Sequence, residues 1–350
     1  MRIHLLRSVG IAAASALALL ALADAGQAAA PVPARADRPV MAYVANHAGT
    51  VTVINTATNI ALKPVKVAFG LSSAAITPNG GTAYVGNPWA SNMANATSVF
   101  PFNTATDKPG KAINVRTVPT GIAITPNGKT AYVFGDGSTT VAAVSTVTNT
   151  VVKVMDIGRS SLAIAITPNG KTVYLVNSGS PGSPGMVTPI STATNRPGRA
   201  IKVGAGPGAI AITPNGKTVY VANTTAGTVT PISTATNRPG KAIKVGPVGL
   251  SWATDPIAVT PNGKTVYVAN TTAGTATPIS TATNVALKTI RIGTPVTAGW
   301  PDQIAITPDG KTVYVLNPFN GTVIPIRTAT NTALKPIKDA GVPMAIAITP

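Results

Sequence analysis

The sequence has 350 residues, with 27 Lys and Arg against 9 acidic residues and a formal net charge of +18. It contains no cysteine, no glutamate and only two histidines. Zinc, haem and copper sites need His or Cys ligands, so this inventory argues against them and against a disulfide framework. The charge favours contact with polyanions such as nucleic acid or anionic wall polymers.

Residues 1–30 are typical of a secretory signal peptide. Arg2 and Arg7 flank a basic start, residues 9–23 are apolar, and small residues offer cleavage positions near 25–30. The apolar run is short for a membrane span, and no second one follows it. We therefore expect a protein that is secreted, extracellular or associated with the cell envelope, with no transmembrane span. Residues 31–39 form a short linker.

A repeated motif follows the linker. The tetrad TPNG or TPDG has its proline at positions 78, 126, 168, 214, 261 and 308, and Thr349-Pro350 begins another copy. Successive prolines are 48, 42, 46, 47, 47 and 42 residues apart. A tyrosine follows each complete tetrad, and Tyr43 in MAYVAN accounts for the seventh tyrosine of the chain. A period in the forties indicates a repeat architecture.

One period, residues 207–246, predicts four short strands. They are GAIAIT, KTVYVAN, GTVTPIS and KAIKVG, and Asn215-Gly216 is a hairpin turn signal between the first two. No segment of the mature chain has sustained helical periodicity. Four strands in about 40–45 residues are typical of one propeller blade. The sequence therefore predicts an all-β propeller with four-stranded antiparallel blades.

Proline falls in the middle of the third predicted strand, at Pro189, Pro231, Pro278 and Pro325. Proline has no N–H to donate to a neighbouring strand. We expect either a bulge there or a fourth strand that pairs over only part of its length.

The TPNGKTVYVAN segments and the GTVTPISTATN segments after them resemble the YVTN family of seven-bladed β-propellers, known from surface-layer proteins and other secreted propellers. The resemblance covers roughly residues 40–350 and implies seven blades. The family usually has an aspartate just before TATN, where this chain has Asn55, Ser191, Ser233 and Ser280. This difference leaves the fold unchanged and removes a row of carboxylates.

The chain starts with a YVAN strand and finishes with AIAITP, the segment that should precede such a strand. We expect one split blade, with its innermost strand from about 344–349 and its other three strands from about 40–69. Pairing the two chain ends would close the ring and remove exposed edges. The propeller domain would then span residues 40–350. Truncation of a longer chain at Pro350 is the alternative.

The basic residues occupy repeated positions. Many lie on the predicted outermost strand, where lysine protects an edge from aggregation. Others share one predicted face, which is either a solvated surface or a polyanion-binding one: Lys129, Lys171, Lys217, Lys264, Lys311, Arg196 and Arg238. No aromatic residues are interleaved with them, which argues against a platform for single-stranded nucleic acid.

Catalytic chemistry has few candidates. His47 is the only histidine after the signal peptide, and we interpret it as a solvated loop residue. Asp255 and Asp302 fall at the start of the innermost strand of neighbouring blades, where other blades have Ser72, Thr120, Leu162, Gly208 and Met344. The two carboxylates could bind Ca²⁺, although calcium takes six to eight oxygen ligands. Each could instead cap a turn. We predict no cofactor and no metal.

The long loops of the face opposite the lysines contain the three tryptophans and a phenylalanine. A candidate ligand site is therefore formed by Trp89, Trp252, Asp255, Trp300, Asp302 and Phe319. Alternatively, the two indoles Trp252 and Trp300 plug the channel. We expect a monomeric, non-enzymatic binding or surface-associated module with an unknown ligand. The alternatives are a calcium-dependent, lactonase-like hydrolase and a basic protein that binds DNA or wall polymers.

Overall fold

The computed structural model describes residues 41–338 apart from 46–48, 56–59, 69, 72, 89–96, 136, 178–183, 248–254, 271–272, 294–303, 308 and 318–321. The described residues form strands and turns and no helix, so no described segment is a membrane-spanning helix. The strands make seven antiparallel sheets, named blades 1–7 in chain order. This arrangement confirms the predicted all-β fold class of a seven-bladed β-propeller. The predicted split-blade closure involves residues outside the described ones.

Blades 1–3 belong to one compact unit. Blade 1 consists of β1 (Met41–Ala45), β2 (Thr50–Asn55), β3 (Ile60–Ala61) and β4 (Val65–Lys66). Blade 2 consists of β5 (Ser73–Ile76), β6 (Thr82–Asn87), β7 (Ser98–Asn103), β8 (Lys108–Pro109) and β9 (Ile113–Asn114). Blade 3 consists of β10 (Gly121–Ile124), β11 (Thr130–Phe134), β12 (Thr140–Ser145) and β13 (Thr150–Asp156).

Blades 4–7 belong to a second compact unit. Blade 4 consists of β14 (Ser161–Ile166), β15 (Thr172–Asn177), β16 (Pro184–Ser191), β17 (Arg196–Pro197) and β18 (Ile201–Ala205). Blade 5 consists of β19 (Pro207–Ile212), β20 (Thr218–Asn223), β21 (Thr228–Ser233), β22 (Arg238–Pro239) and β23 (Ile243–Lys244). Blade 6 consists of β24 (Ile257–Val259), β25 (Thr265–Asn270), β26 (Thr275–Ser280), β27 (Val285–Ala286) and β28 (Ile290–Arg291). Blade 7 consists of β29 (Ile304–Ile306), β30 (Thr312–Asn317), β31 (Thr322–Arg327), β32 (Thr332–Ala333) and β33 (Ile337–Lys338).

The TPNG tetrad closes the hairpin between the first and second strands of a blade. In blade 5 the Thr213 hydroxyl donates to Asn215 Oδ1 at 2.7 Å, and the Lys217 N–H donates to the same oxygen at 2.9 Å. Gly216 has a φ of 68°, the left-handed conformation that glycine adopts without a steric penalty. Pro214 suits the preceding turn position because its φ is fixed. The tetrad is therefore a local turn element, as its sequence predicts.

The fourth strand is in two short pieces in the blades that have proline in the third strand, and also in blade 1, which has Val53 there. In blade 5 Pro231 pairs with Tyr220 on one side, while β22 and β23 pair separately with β21 on the other. Gly240 donates its N–H to the Pro231 carbonyl at 2.7 Å between those pieces. Blade 3 has Ala143 at this position, and its fourth strand, β13, is continuous with a bulge. The predicted partial pairing is confirmed.

The second strands of blades 5 and 6 are buried on both faces because the blades on either side cover them. In β20, Val219 and Val221 pack into a cluster with residues of blade 4, including Tyr174. Tyr220 lies on the other face and packs into a cluster with Val266 of blade 6. Alternate side chains of β20 therefore pack into two different apolar interfaces, and neither face of the strand is exposed to solvent.

A tyrosine hydroxyl crosses each of these interfaces to the next blade. Tyr220 Oη donates to Asn284 Oδ1 at 2.6 Å, and Asn284 has a φ of 55° in the hairpin between the third and fourth strands of blade 6. Burial raises the pKa of Tyr84, Tyr132 and Tyr267 to about 12, so the hydroxyls stay protonated donors at neutral pH. The same bond joins three further pairs: Tyr84 to Asn149, Tyr174 to Asn237 and Tyr267 to Asn331.

This bond predicts a measurable coupling between blades. Tyr220→Phe should lower the free energy of unfolding by about 1–2 kcal/mol, since it leaves the Asn284 amide without its donor. Asn284→Gly keeps the positive φ and removes the acceptor. In a double-mutant cycle followed by urea unfolding, the two losses should be clearly non-additive. Fully additive losses would show that the bond does not stabilise the interface.

Candidate functional site

Each blade has two chemically different ends. In blade 5, Thr234 donates its N–H to the Lys217 carbonyl at 3.0 Å, which places the hairpin between strands three and four beside the TPNG hairpin. We call this the hairpin end. The opposite, connection end contains the loops between the second and third strands and the links between blades. Asp255 lies at the connection end, between blades 5 and 6.

Asparagines close the second strands at the connection end of blades 4–6. Asn177, Asn223 and Asn270 are 0%, 0% and 1% exposed. Asn177 Oδ1 accepts from the Thr188 hydroxyl at 2.6 Å, and Asn223 Nδ2 donates to Thr230 Oγ1 at 2.9 Å. Buried amides need such partners because an unpaired polar group is costly away from water. The Oδ1 atom of Asn223 is buried and has no partner among the described residues.

Asp255 joins this polar layer from the link between blades 5 and 6. Its backbone N–H donates to Thr224 Oγ1 at 2.9 Å, and its Oδ2 accepts from Asn270 Nδ2 at 3.4 Å. Asp255 is 2% exposed and Thr224 is 1% exposed. Among the described residues, Asp255 is the only carboxylate that is buried to this degree. The link before β24 thus places the Asp255 carboxylate among amide and hydroxyl groups, where it is shielded from bulk water.

Glycines allow the links between blades to approach this layer. A Cβ added to Gly246 would lie 2.7 Å from Asn270 Nδ2, and one added to Gly204 would lie 2.7 Å from Asn223 Cγ. Asn270 cannot easily move away, because its Oδ1 also accepts the Ala273 N–H at 2.8 Å. The bond between Asn270 and Asp255 therefore requires a residue without a side chain at position 246.

The described residues contain only part of the predicted ligand site. Trp89, Trp252, Trp300, Asp302 and Phe319 lie outside them, so the pairing of indoles with carboxylates remains a prediction. Asp255 lies in the link before β24, two residues ahead of the first strand residue, Ile257. It is more buried than a residue at a channel mouth would be, since Thr224 and Asn270 hold it between two blades. The sequence interpretation missed these two partners, although Asn270 ends a repeated YVAN segment.

The predicted basic residues lie on the hairpins of their blades, and all of them are exposed: Lys129, Lys171, Lys217, Lys264, Lys311, Arg196 and Arg238. Lys311 Nζ lies 3.4 Å from Asp309 Oδ2, and this is the one ion pair within the described residues. The arrangement is compatible with both a solvated surface and a polyanion-binding one. Polyanion binding remains a prediction.

The described donors around Asp255 are too few for a calcium site. The described residues there offer one carboxylate and the unpaired amide oxygen of Asn223, and no group of three acidic or histidine residues suited to a metal occurs among the described residues. Calcium takes six to eight oxygens. The second predicted carboxylate, Asp302, is outside the described part. We therefore derive no chemical step through a metal.

The fold and this site define the chain as a β-propeller protein. Residues 204–349, less than half of the chain, match the family described as Lactonase, 7-bladed beta-propeller. The matched segment includes the whole of blades 5–7 and contains Asp255, Thr224 and Asn270. The YVTN type of propeller is not established by this match. No curated protein matches the chain.

Several solved structures share the fold at low sequence identity. Hydrazine synthase of Kuenenia stuttgartiensis is 22% identical, with a TM-score of 0.61 over 83% of this chain and 92% of its own. A candidate 6-phosphogluconolactonase of Bacteroides fragilis is 18% identical, with a TM-score of 0.60 over 88% and 97%. Another, of Bacteroides uniformis, is 16% identical, with a TM-score of 0.59 over 85% and 93%. At these identities the likeness establishes the fold alone.

The expectation of a non-enzymatic binding or surface-associated module is wrong. The family that blades 5–7 match is one of lactonases, which points to the enzymatic alternative. The expectation rested on the shortage of His, Cys and Glu. That shortage argues against thiol, triad and metal chemistry, but hydrolysis of a lactone requires only a base and an activated water.

Gly246→Ala should disrupt the Asp255 environment. The new methyl group would displace Asn270 and break its bond to Asp255, so we expect the free energy of unfolding to fall by about 1–3 kcal/mol. Gly198→Ala is the matched control, since its nearest neighbour, Pro189 Cγ, would lie at an ordinary 3.4 Å. Thermal melts compare the two. Equal melting temperatures would contradict the tight packing at Gly246.

Proposed function

We propose that the protein is a lactonase-like hydrolase in which Asp255 is the general base. The observation that carries this proposal is the buried Asp255 carboxylate, bonded to Asn270 and lying within the segment that matches the lactonase family. A base held by neighbours and shielded from bulk water suits proton transfer, because water exclusion strengthens its interaction with the reacting proton.

The proposed reaction needs one water and no redox partner. Asp255 takes a proton from water as the water oxygen adds to the lactone carbonyl. The ring C–O bond then breaks, and the leaving alkoxide takes back a proton, which gives a hydroxy acid. Asn270 holds the carboxylate in place. The Thr224 hydroxyl accepts from the Asp255 N–H, which leaves its own hydrogen to donate to the developing oxyanion.

The tryptophans of the long loops would then bind the substrate. Trp252 precedes Asp255 by three residues, and Trp300 precedes Asp302 by two. An indole beside a carboxylate suits the flat face of a lactone ring together with its hydroxyl groups. The alternative is that the two indoles plug a channel.

We also propose that the enzyme uses a YVTN-type scaffold and works outside the cytoplasm. The first part is supported by the Tyr–Asn bonds, two of which join the tyrosine of a TVYVAN segment to the asparagine of a TATN segment. The second part is supported by the signal-like residues 1–30. Protein purified from the culture medium with a new N-terminus near residues 25–30 would support export, and full-length protein confined to the cytoplasm would contradict it.

Activity measurements on Asp255 test the enzymatic proposal. Asp255→Asn should lower kcat for lactone hydrolysis by about 10²–10⁴-fold, which is the usual contribution of a general base. Hydrolysis can be followed by proton release in weak buffer, with the spontaneous rate subtracted.

Asp309→Asn is the control. Asp309 is exposed at the hairpin end, and Asn occupies this position in the other complete tetrads, so activity should be unchanged. Melting temperatures of both variants show whether either has unfolded. Full activity in a folded Asp255→Asn variant would refute the assignment of the base.

A further inference from the structure

The fourth strands of blades 4–6 share a four-residue pattern at the break between their two pieces. The pattern is RAIK at 199–202, KAIK at 241–244 and KTIR at 288–291. In each copy the isoleucine is buried, and the basic residues two positions before it and one position after it are exposed. Three consecutive blades therefore repeat a pair of exposed cations around one buried residue. The six cations are Arg199, Lys202, Lys241, Lys244, Lys288 and Arg291.

The buried isoleucine fixes where each pair of cations lies. Ile201, Ile243 and Ile290 each pack in the apolar cluster between their own blade and the next one. Because neighbouring residues of a strand point to opposite faces, the cation that follows each isoleucine is directed away from this cluster. The register with the third strand is the same in the three blades, with Ile201 opposite Val187, Ile243 opposite Val229 and Ile290 opposite Ala276.

The three pairs belong to one surface that runs across neighbouring blades. The second piece of each fourth strand contacts the first piece of the fourth strand in the next blade: β18 contacts β22, β23 contacts β27, and β28 contacts β32. We call the surface that contains the six cations the basic rim. The one ion pair within the described residues, between Lys311 and Asp309, involves none of the six. The charge of the basic rim therefore faces solvent across blades 4–6.

A groove of about 550 Å³ lies in the basic rim between blades 6 and 7. Lys288 and Arg291 line it from blade 6, and Thr330 and Thr332 line it from the hairpin of blade 7. That hairpin is held in place, because its Asn331 accepts the Tyr267 hydroxyl of blade 6 at 2.5 Å. Basic side chains and threonine hydroxyls are groups that proteins use to bind phosphate oxygens. The groove therefore combines charge and hydrogen-bond donors between fixed walls.

We infer that the basic rim binds a linear polymer of polyol or sugar units joined by phosphodiester groups, of the kind found in anionic cell-wall polymers. One cation pair suits a single phosphate, whereas pairs repeated in consecutive blades suit a chain of phosphates. The groove is lined by cationic, hydroxyl, amide and aliphatic side chains, which suit polyol units. Stacking of nucleic-acid bases uses aromatic side chains instead. This binding surface is separate from the proposed hydrolase site at Asp255.

Titration of the full-length mature protein with a glycerol phosphate polymer tests the inference. Calorimetry at several salt concentrations should show an affinity that falls as salt rises. A plot of log K against log salt should have a slope of about −2 to −4, as expected when about three to six phosphates of a flexible chain are neutralised.

Two variants with equal charge changes locate the binding surface. The rim variant, in which Lys241, Lys244, Lys288 and Arg291 are all replaced by Gln, should bind the polymer at least about 10-fold more weakly and with a shallower salt slope. The hairpin variant removes four charges from the TPNG hairpins and should lose less than about 3-fold, from the change in overall charge alone. It replaces with Gln the residues Lys171, Lys217, Lys264 and Lys311. Melting temperatures show whether both variants are folded.

Chemical acetylation of the unmodified protein gives a second test that needs no variant. Bound polymer should protect Lys241, Lys244 and Lys288 from acetylation and leave Lys171 and Lys217 reactive. Peptide mass spectrometry measures both groups in one sample.

The inference has three outcomes against it. Equal losses in the two variants, or protection of the hairpin lysines instead of the rim lysines, would show that a general charge field attracts the polymer. Tighter binding of single-stranded DNA with the same number of phosphates would identify a nucleic acid as the partner. No binding of the polymer at low salt would leave protection of the edge strands from aggregation as the role of these cations. None of these outcomes depends on lactone hydrolysis.

Discussion

The hydrogen bond from a tyrosine of one blade to an asparagine of the next is the constraint on which the described structure depends. A single blade cannot bury its own apolar residues, since its second strand is apolar on both faces. The two faces are covered by the preceding and following blades. The Tyr–Asn bond fixes the distance between blades because the phenol must reach a hairpin whose asparagine has a left-handed backbone conformation. This bond explains why the tyrosine of the second strand and the asparagine of the hairpin between the third and fourth strands both recur in the repeat.

The two ends of a blade differ in chemistry and in what holds them in place. The hairpin ends are built from local turns and have exposed lysines. The connection ends depend on the neighbouring blade, because Asp255 in the link after blade 5 bonds both Thr224 of that link's own blade and Asn270 of the next. A group held from two blades has little freedom to move. Such preorganisation is what a general base needs, and it is absent from an exposed turn.

The sequence predicts the local features well. The TPNG hairpin follows from the backbone limits of its proline, asparagine and glycine, so it could be read from the repeat. Proline predicts the interrupted fourth strand of five blades, but blade 1 has the same interruption with Val53. The register at the first strand could not be predicted from the repeat. Aligning the repeats by sequence put Leu162 and Gly208 at the position equivalent to Asp255. In the structure a bulge shifts the register, so that Ser161 pairs with Asn177 and Pro207 pairs with Asn223. The burial of Asp255 depends on contacts with Asn270, 15 residues away, and Thr224, 31 residues away, and the Tyr–Asn bonds join residues 63–65 apart. Periodicity alone does not specify these contacts between blades. The functional expectation failed because a count of residue types does not reveal one carboxylate held by its neighbours.

A crystal structure of the Asp255→Asn variant with the lactam analogue of gluconolactone would test the central claim most directly. The lactam has the ring and hydroxyl groups of the substrate but resists hydrolysis. The account predicts that the lactam lies at the connection end, with its carbonyl group beside residue 255 and Thr224. A lactam bound with full occupancy at the hairpin end, or in a site without contact to blades 5 and 6, would contradict it.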